Sequence, residues 1–172
     1  MKVVTFMKIY ISPSDQKSNV GVGSYGTEAD RMQQLSNYVV AALKEMGHTV
    51  YGGNNGLNLD QRIAASNSAR VDCHVALHSN AGGGTGTEVW YYQSSTNGKR
   101  LATNLLNNVT AVSGCPGSRG IKATTTLKEV RGTTAPCALI EVAFHDRQTD
   151  VNWIIGNMSK IGKAIANGIN AF

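Results

Sequence analysis

Apolar and polar positions fall in blocks along the chain, and the block spacing predicts alternating strands and helices. "MKIYIS" (7–12) is a short apolar run closed by Pro13 and reads as a first strand. Residues 14–26 are polar and glycine-rich, a loop. Met32, Leu35, Val39, Leu43 and Met46 then recur at helical spacing, which predicts a helix over 27–46 with Thr27 as its N-cap and Gly47 as its stop. "HTVY" (48–51) is a short strand and "NNGLN" (54–58) a turn, and residues 59–69 fit a helix with Leu59 and Ile63 inward. "CHVALH" (73–78) and "TEVWYY" (87–92) are strands on either side of a glycine-rich turn. Leu101, Leu105, Val109 and Val112 mark an amphipathic helix over 98–112. "RGIKA" (119–123) and "LKEVR" (127–131) read as short strands. "CALIEVAF" (137–144), a continuous apolar run broken by one carboxylate, fits a central strand buried on both faces. Ile161, Ile165 and Ile169 predict a closing helix over 157–170. The order implies an α/β protein, a three-layer α/β/α sandwich with a mostly parallel central sheet of about six strands. Without repeats or a linker, residues 1–172 are expected to form one domain, with 1–6 an N-terminal extension if Met7 is the start.

Composition narrows this little. Apolar residues make 41% and charged residues 16%, an ordinary globular balance. The net charge of +5 favours polyanions without choosing between nucleic acid and acidic wall polymers. The excess is local: Lys99, Arg100, Arg119, Lys122, Lys128 and Arg131 face only Glu129 in that stretch, either a solvated surface or a rim for an anionic substrate. Cys73, Cys115 and Cys137 are odd in number and lack Cys-x-x-Cys spacing, which argues against a disulfide framework and against a cysteine zinc site. Cys73 and Cys137 read as core residues. The opening apolar stretch is too short to span a bilayer and lacks a cleavage site, so synthesis in the cytoplasm without a signal peptide is expected.

Candidate chemistry gathers at strand ends, where sheets of this kind bind ligands. His74 and His78 share a strand face about 13 Å apart, too far to bind one metal. A helix would bring them together, but the H-E-x-x-H pattern needs Glu where Val75 stands. His78 is the candidate, because it ends the apolar run just before "SNAGGG"; His74 reads as a core histidine. Glu141 interrupts "CALIEVAF" near its carboxyl end, and a buried carboxylate is paired, protonated or beside a metal. Burial also raises such a group toward the general acid–base range. Glu28 lies in the first turn of the predicted helix, where the helix dipole alone would explain it. The glycine turn leads into a strand, which argues against a nucleotide-binding loop.

Taken together these residues resemble a family. "HVALHSNAGGGTGTEVWYY" is similar to the histidine strand of zinc-dependent N-acetylmuramoyl-L-alanine amidases of the amidase-3 type. "ALIEVAFHDRQTD" resembles that family's glutamate signature, and "GTEAD" its glutamate at the start of the first long helix. The resemblance runs from about Met7 to Phe172, and "TGTEVWYY" with "RGIKAT" is especially similar to catalytic domains of phage endolysins of Gram-positive, clostridial hosts. It implies zinc as cofactor, Glu28 and His78 as ligands and Glu141 as the catalytic carboxylate. The family's first ligand, a histidine after the first strand, is missing from "ISPSDQKSN". Asp15 and Gln16 are the candidates to replace it. Asp is the commoner zinc ligand. Gln16 preserves the net charge of the site, and a clostridial-type branch similarly opens Ser-Pro-Ser-x-Gln, so Gln16 is the choice here.

The implied reaction is hydrolysis of the amide between the lactyl group of N-acetylmuramic acid and L-alanine of the peptidoglycan stem peptide. In it a zinc-bound water attacks and Glu141 serves as general acid and base. The expected use is as a phage endolysin or bacterial autolysin, reaching the wall after release or holin-mediated access. The expected partner is the muramyl-peptide substrate, with no nucleic acid and no membrane, and the expected state is a monomer. Residues 119–134 are expected to wall the stem-peptide groove, and Glu88 to lie on a strand surface rather than to support a ligand. The rivals are a zinc peptidase cutting within the stem peptide and a metal-free wall-binding pseudoenzyme, against which an intact Glu141 argues.

Overall fold

In a computed structural model, residues 6–172 are described; of the extension expected over 1–6, only Phe6 lies within them. The elements run β1 (Lys8–Pro13), α1 (Glu28–Glu45), β2 (Thr49–Gly52), α2 (Leu59–Ala69), β3 (Cys73–Asn80) and β4 (Thr87–Tyr92). They continue α3 (Thr96–Thr110), β5 (Ser118–Thr124), α4 (Lys128–Gly132), β6 (Cys137–Phe144), α5 (Gln148–Gly156) and α6 (Met158–Asn170). The six strands lie in the order β2-β1-β3-β6-β4-β5. All neighbouring pairs are parallel except β4 with β6. The α/β sandwich expected from the alternation is therefore present, with "CALIEVAF" at its centre.

The two faces of the sheet differ. Ile9, Ile11, Val75, Leu77, Ile140 and Val142 pack into the main core with Met32, Leu35, Leu105, Ile161 and Ile165, on the side of α1, α3 and α6. The opposite face carries a small cluster, Ala76, Val130, Cys137 and Leu139, under the short helices α2 and α4. Strand alternation sends Tyr10, His74, His78, Glu141, Glu88 and Trp90 to this thinner side, since they are register partners or two apart. A thin cover leaves room for a substrate, and the polar residues sit there rather than in the main core.

Two readings change. "LKEVR", expected as a strand, is the helix α4, and a separate helix α5 precedes the closing one. α2 buries Arg62 and Ser66, while Leu59 and Ile63 are only half-buried. Its polar side is the inner one because it faces the site-bearing side of the sheet.

Candidate functional site

Three segments meet at the carboxyl edge of β3 and β6. The first is the loop before α1. Thr27 caps α1 by accepting from the backbone of Asp30 at 3.1 Å, which places Glu28 in the first turn. The Glu28 amide donates to the carbonyl of Asn19 at 2.8 Å, so the loop folds back over the helix start. The amide nitrogen of Asn19 then donates to both Gln16 Oε1 and Glu28 Oε2, each at 2.7 Å. Asn19 was no candidate in the sequence; only the Gln-x-x-Asn spacing hinted at it.

The second segment is β3. Nδ1 of His78 lies 2.8 Å from Glu28 Oε1 and 3.3 Å from the Gln16 amide nitrogen. Glu28, Gln16 and His78 are thus brought together around one ring nitrogen. Asp15 points elsewhere, to Arg62 at 3.1 Å. Arg62 is buried on α2 and also holds the carbonyl of Pro13, so it fixes the chain where β1 ends. No three His, Cys, Asp or Glu side chains among the described residues gather closely enough to hold a metal ion. What the cluster offers instead is an imidazole nitrogen facing a carboxylate oxygen, with the Gln16 side chain beside them, its amide nitrogen toward His78 and its oxygen toward Asn19.

The third segment is β6. Glu141 is the register partner of His78 on one side and of Glu88 on the other. Its Oε2 is buried and has no hydrogen-bond partner. Glu88, expected on the surface, is buried instead. Arg119 and Lys122 each donate to its Oε2 at 2.7 Å, and Asn80 and Trp90 donate to its Oε1. Two carboxylates therefore stand side by side, one fully paired and one with a free oxygen.

The electrostatics follow from these contacts. Burial pushes the Glu141 carboxyl from 4.5 to about 7; the His78 charge opposes this, and Glu28 and Glu88 reinforce it. Burial also works to raise Glu28, but its bonds to His78 and Asn19 hold it below its ordinary value. Burial would depress His78, yet Glu129 and Glu28 on its two sides push it up to about 10. Glu88 is likewise held below its ordinary value against its burial, by Lys122 and Arg119.

The glycine turn after β3 is tied to the segment after β6. Asp146 accepts from the backbone of Gly82 at 2.7 Å and of Gly83 at 2.9 Å. Asp150 accepts from Thr85, Gly86 and Phe144. A side chain at Gly84 would run into the Phe144 ring. The turn is compact because it packs against "FHDRQTD", and the site edge beside His78 stays open. A cleft opens there, lined by Gln16, His78, Leu127, Lys128, Glu129 and Leu139, with the Asp15–Arg62 pair and Leu59 at its side.

Comparison with known proteins fits this arrangement. Residues 9–171 match the Amidase_3 family, N-acetylmuramoyl-L-alanine amidase. N-acetylmuramoyl-L-alanine amidase CwlM of Bacillus licheniformis is 26% identical over 174 residues, which is 95% of this chain and 67% of CwlM. The crystal structure of N-acetylmuramoyl-L-alanine amidase from Clostridium difficile 630 superposes with a TM-score of 0.87 at 22% identity, over 96% of each chain. The catalytic domain of the CD27L endolysin targeting Clostridia Difficile superposes with a TM-score of 0.79 at 25% identity, over 95% of this chain and 96% of that one.

Proposed function

The chain belongs to the N-acetylmuramoyl-L-alanine amidase family, and from that premise we propose that it hydrolyses the amide between the lactyl group of N-acetylmuramic acid and L-alanine of the stem peptide. The observation that carries this reading is the free, buried oxygen of Glu141 beside the Glu28–His78 pair. A pure binding module gains nothing from a desolvated carboxylate, which is costly unless used.

Zinc dependence is general for the family, and the donor set fits a zinc ion. An imidazole nitrogen and a carboxylate oxygen 2.8 Å apart need a cation or a proton between them. Glu28, His78 and Gln16 are the residues that would hold it. Bound there, zinc supplies a Lewis acid that polarises the scissile carbonyl and acidifies water. The chain's own groups do the rest. Glu141, ionised, takes a proton from the attacking water as its oxygen bonds to the carbonyl carbon. It gives that proton to the amine nitrogen as the carbon–nitrogen bond breaks. Asn19 holds the Gln16 and Glu28 side chains in place. Arg119 and Lys122 pair with Glu88, so of the two adjacent carboxylates Glu141 is the one left free to take a proton. Residues 119–134 and the cleft beside His78 would receive the stem peptide, and the likeness to an endolysin catalytic domain supports a use in wall lysis.

Mass spectrometry of digested peptidoglycan tests the bond. The expected products are stem peptides with a free L-alanine amino terminus and an uncut glycan. Fragments cut inside the stem peptide would make the chain a peptidase, and undigested wall would make it a binder.

The third donor has its own test. Gln16→Ala is expected to lower zinc occupancy, measured by elemental analysis, more than Asp15→Ala, because Gln16 touches His78 and Asp15 is paired with Arg62. Gln16→His should keep or strengthen the metal, since imidazole binds zinc better than an amide. Loss of metal on Asp15→Ala alone would transfer the role to Asp15.

A further inference from the structure

His74 and His78 stand too far apart along β3 to share an ion, yet one side chain joins them. Glu129 on α4 is buried, with its Oε1 2.9 Å from Nε2 of His74 and its Oε2 4.0 Å from Nε2 of His78. His74 is locked in turn: its Nδ1 lies 2.9 Å from Ser66 Oγ on α2, and its ring stacks on Tyr10 with centroids 5.0 Å apart. The result is a buried polar chain, Ser66–His74–Glu129–His78–Glu28, running from α2 across the sheet to the start of α1.

We propose that Glu129 is a positioning residue that fixes His78 with its proton on Nε2 and turns Nδ1 to the metal. This rests on the reading that His78 holds zinc. An ionised carboxylate only accepts, so His74 faces Glu129 with an N–H at 2.9 Å, and His78 must do the same to bond to it. His74 then carries its proton on Nε2, leaving Nδ1 to accept from the Ser66 hydroxyl, and every polar atom of that ring is satisfied. With Oε1 taken by His74, Oε2 is left for His78. The 4.0 Å gap is longer than a hydrogen bond, and the proposal requires a shift of about 1 Å to close it when the metal binds. When a metal displaces the Nδ1 proton, a proton held on Nε2 leaves the Nδ1 lone pair facing Glu28 and Gln16. A carboxylate behind a ligating imidazole sets its tautomer and ring direction and raises its basicity. Glu129 lines the cleft beside His78, and its effect on the metal runs through the His78 imidazole.

Two measurements on the zinc-loaded protein test this. Competition with a chromogenic chelator is expected to show zinc affinity about 10- to 100-fold weaker in Glu129→Gln than in the wild type. Long-range ¹H–¹⁵N spectra of the wild type should show His78 with its proton on Nε2, and Glu129→Gln should shift that proton's resonance. The wild-type spectrum needs no variant, so it decides the matter even if Glu129→Gln fails to fold. Equal affinity in a folded Glu129→Gln, or a His78 proton found on Nδ1, overturns the role of Glu129 alone. A wild-type protein that binds no zinc overturns the metal reading and this one with it.

Discussion

Replacing Glu141 by glutamine is expected to cut hydrolysis of cell walls by at least about 10²- to 10⁴-fold, the range that general acid–base groups supply. Glutamine keeps the shape of the side chain and its place on β6, but it cannot accept the proton. Zinc content, measured by elemental analysis, should stay near that of the wild type, because Glu141 is a neighbour of His78 across the sheet and not one of the side chains that meet its Nδ1, the donors proposed above. Lysis at the wild-type rate would remove Glu141 from the mechanism, and loss of zinc would make it a ligand.

The same substitution has a stability signature of known sign. Burial lifts the folded-state value of Glu141 from 4.5 to about 7, so the native state holds this proton more tightly than the unfolded chain. A group of that kind favours folding below its unfolded value, and the contribution is lost as pH rises through about 7. In the metal-free protein, Glu141→Gln should therefore melt at a higher temperature than the wild type above pH 7, with the difference shrinking toward pH 4. A bound cation favours the ionised form, so zinc should narrow the gap. A gap independent of pH would mean that Glu141 is not the desolvated group its surroundings make it.

Which parts of this site the sequence discloses follows from how local each signal is. "CALIEVAF" and "TEVWYY" are runs with clear edges, and β6 and β4 match them residue for residue. His78 and Glu141 stand out because each is a polar group at the end of, or inside, an apolar run. Glu88 and Glu129 do not, because what defines them is distant in the chain. Glu88 looks like the outward position of an alternating strand, and only the pairing of β4 with β5 brings Arg119 and Lys122 over it. Five residues, "LKEVR", fit an alternating strand as well as one helical turn. Thr124 decides for the turn by accepting from the backbone of Thr126 and Leu127, and the helix then aims Glu129 at His74, 55 positions away. α5 escapes notice because its first turn is polar. Its Asp150 is fully buried, holding the backbone of Gly86 and Phe144. Asn19 is a loop residue whose importance lies only in reaching two side chains at once.

His78→Ala is expected to abolish both stoichiometric zinc and wall hydrolysis, the largest loss among single changes at the metal donors. His78 Nδ1 is the atom on which Glu28 and Gln16 converge, and without it only their oxygens, already held by Asn19, would be left for the ion. Partners that only support a ligand cost about 10- to 100-fold in affinity, and losing the ligand itself should exceed that. The change also leaves Glu28 buried without its histidine partner, with only neutral groups such as Asn19 beside it, so some stability should be lost with the metal. His74→Ala separates the two effects. It opens a cavity under Tyr10 and unpairs Glu129, so its thermal midpoint should fall, yet it removes no donor and should keep most of its zinc. Elemental analysis beside thermal melts reads both variants. If His74→Ala loses its zinc while His78→Ala keeps it, the metal centre lies at His74, beside Ser66 and Glu129, and Glu28 has only its helix-start role.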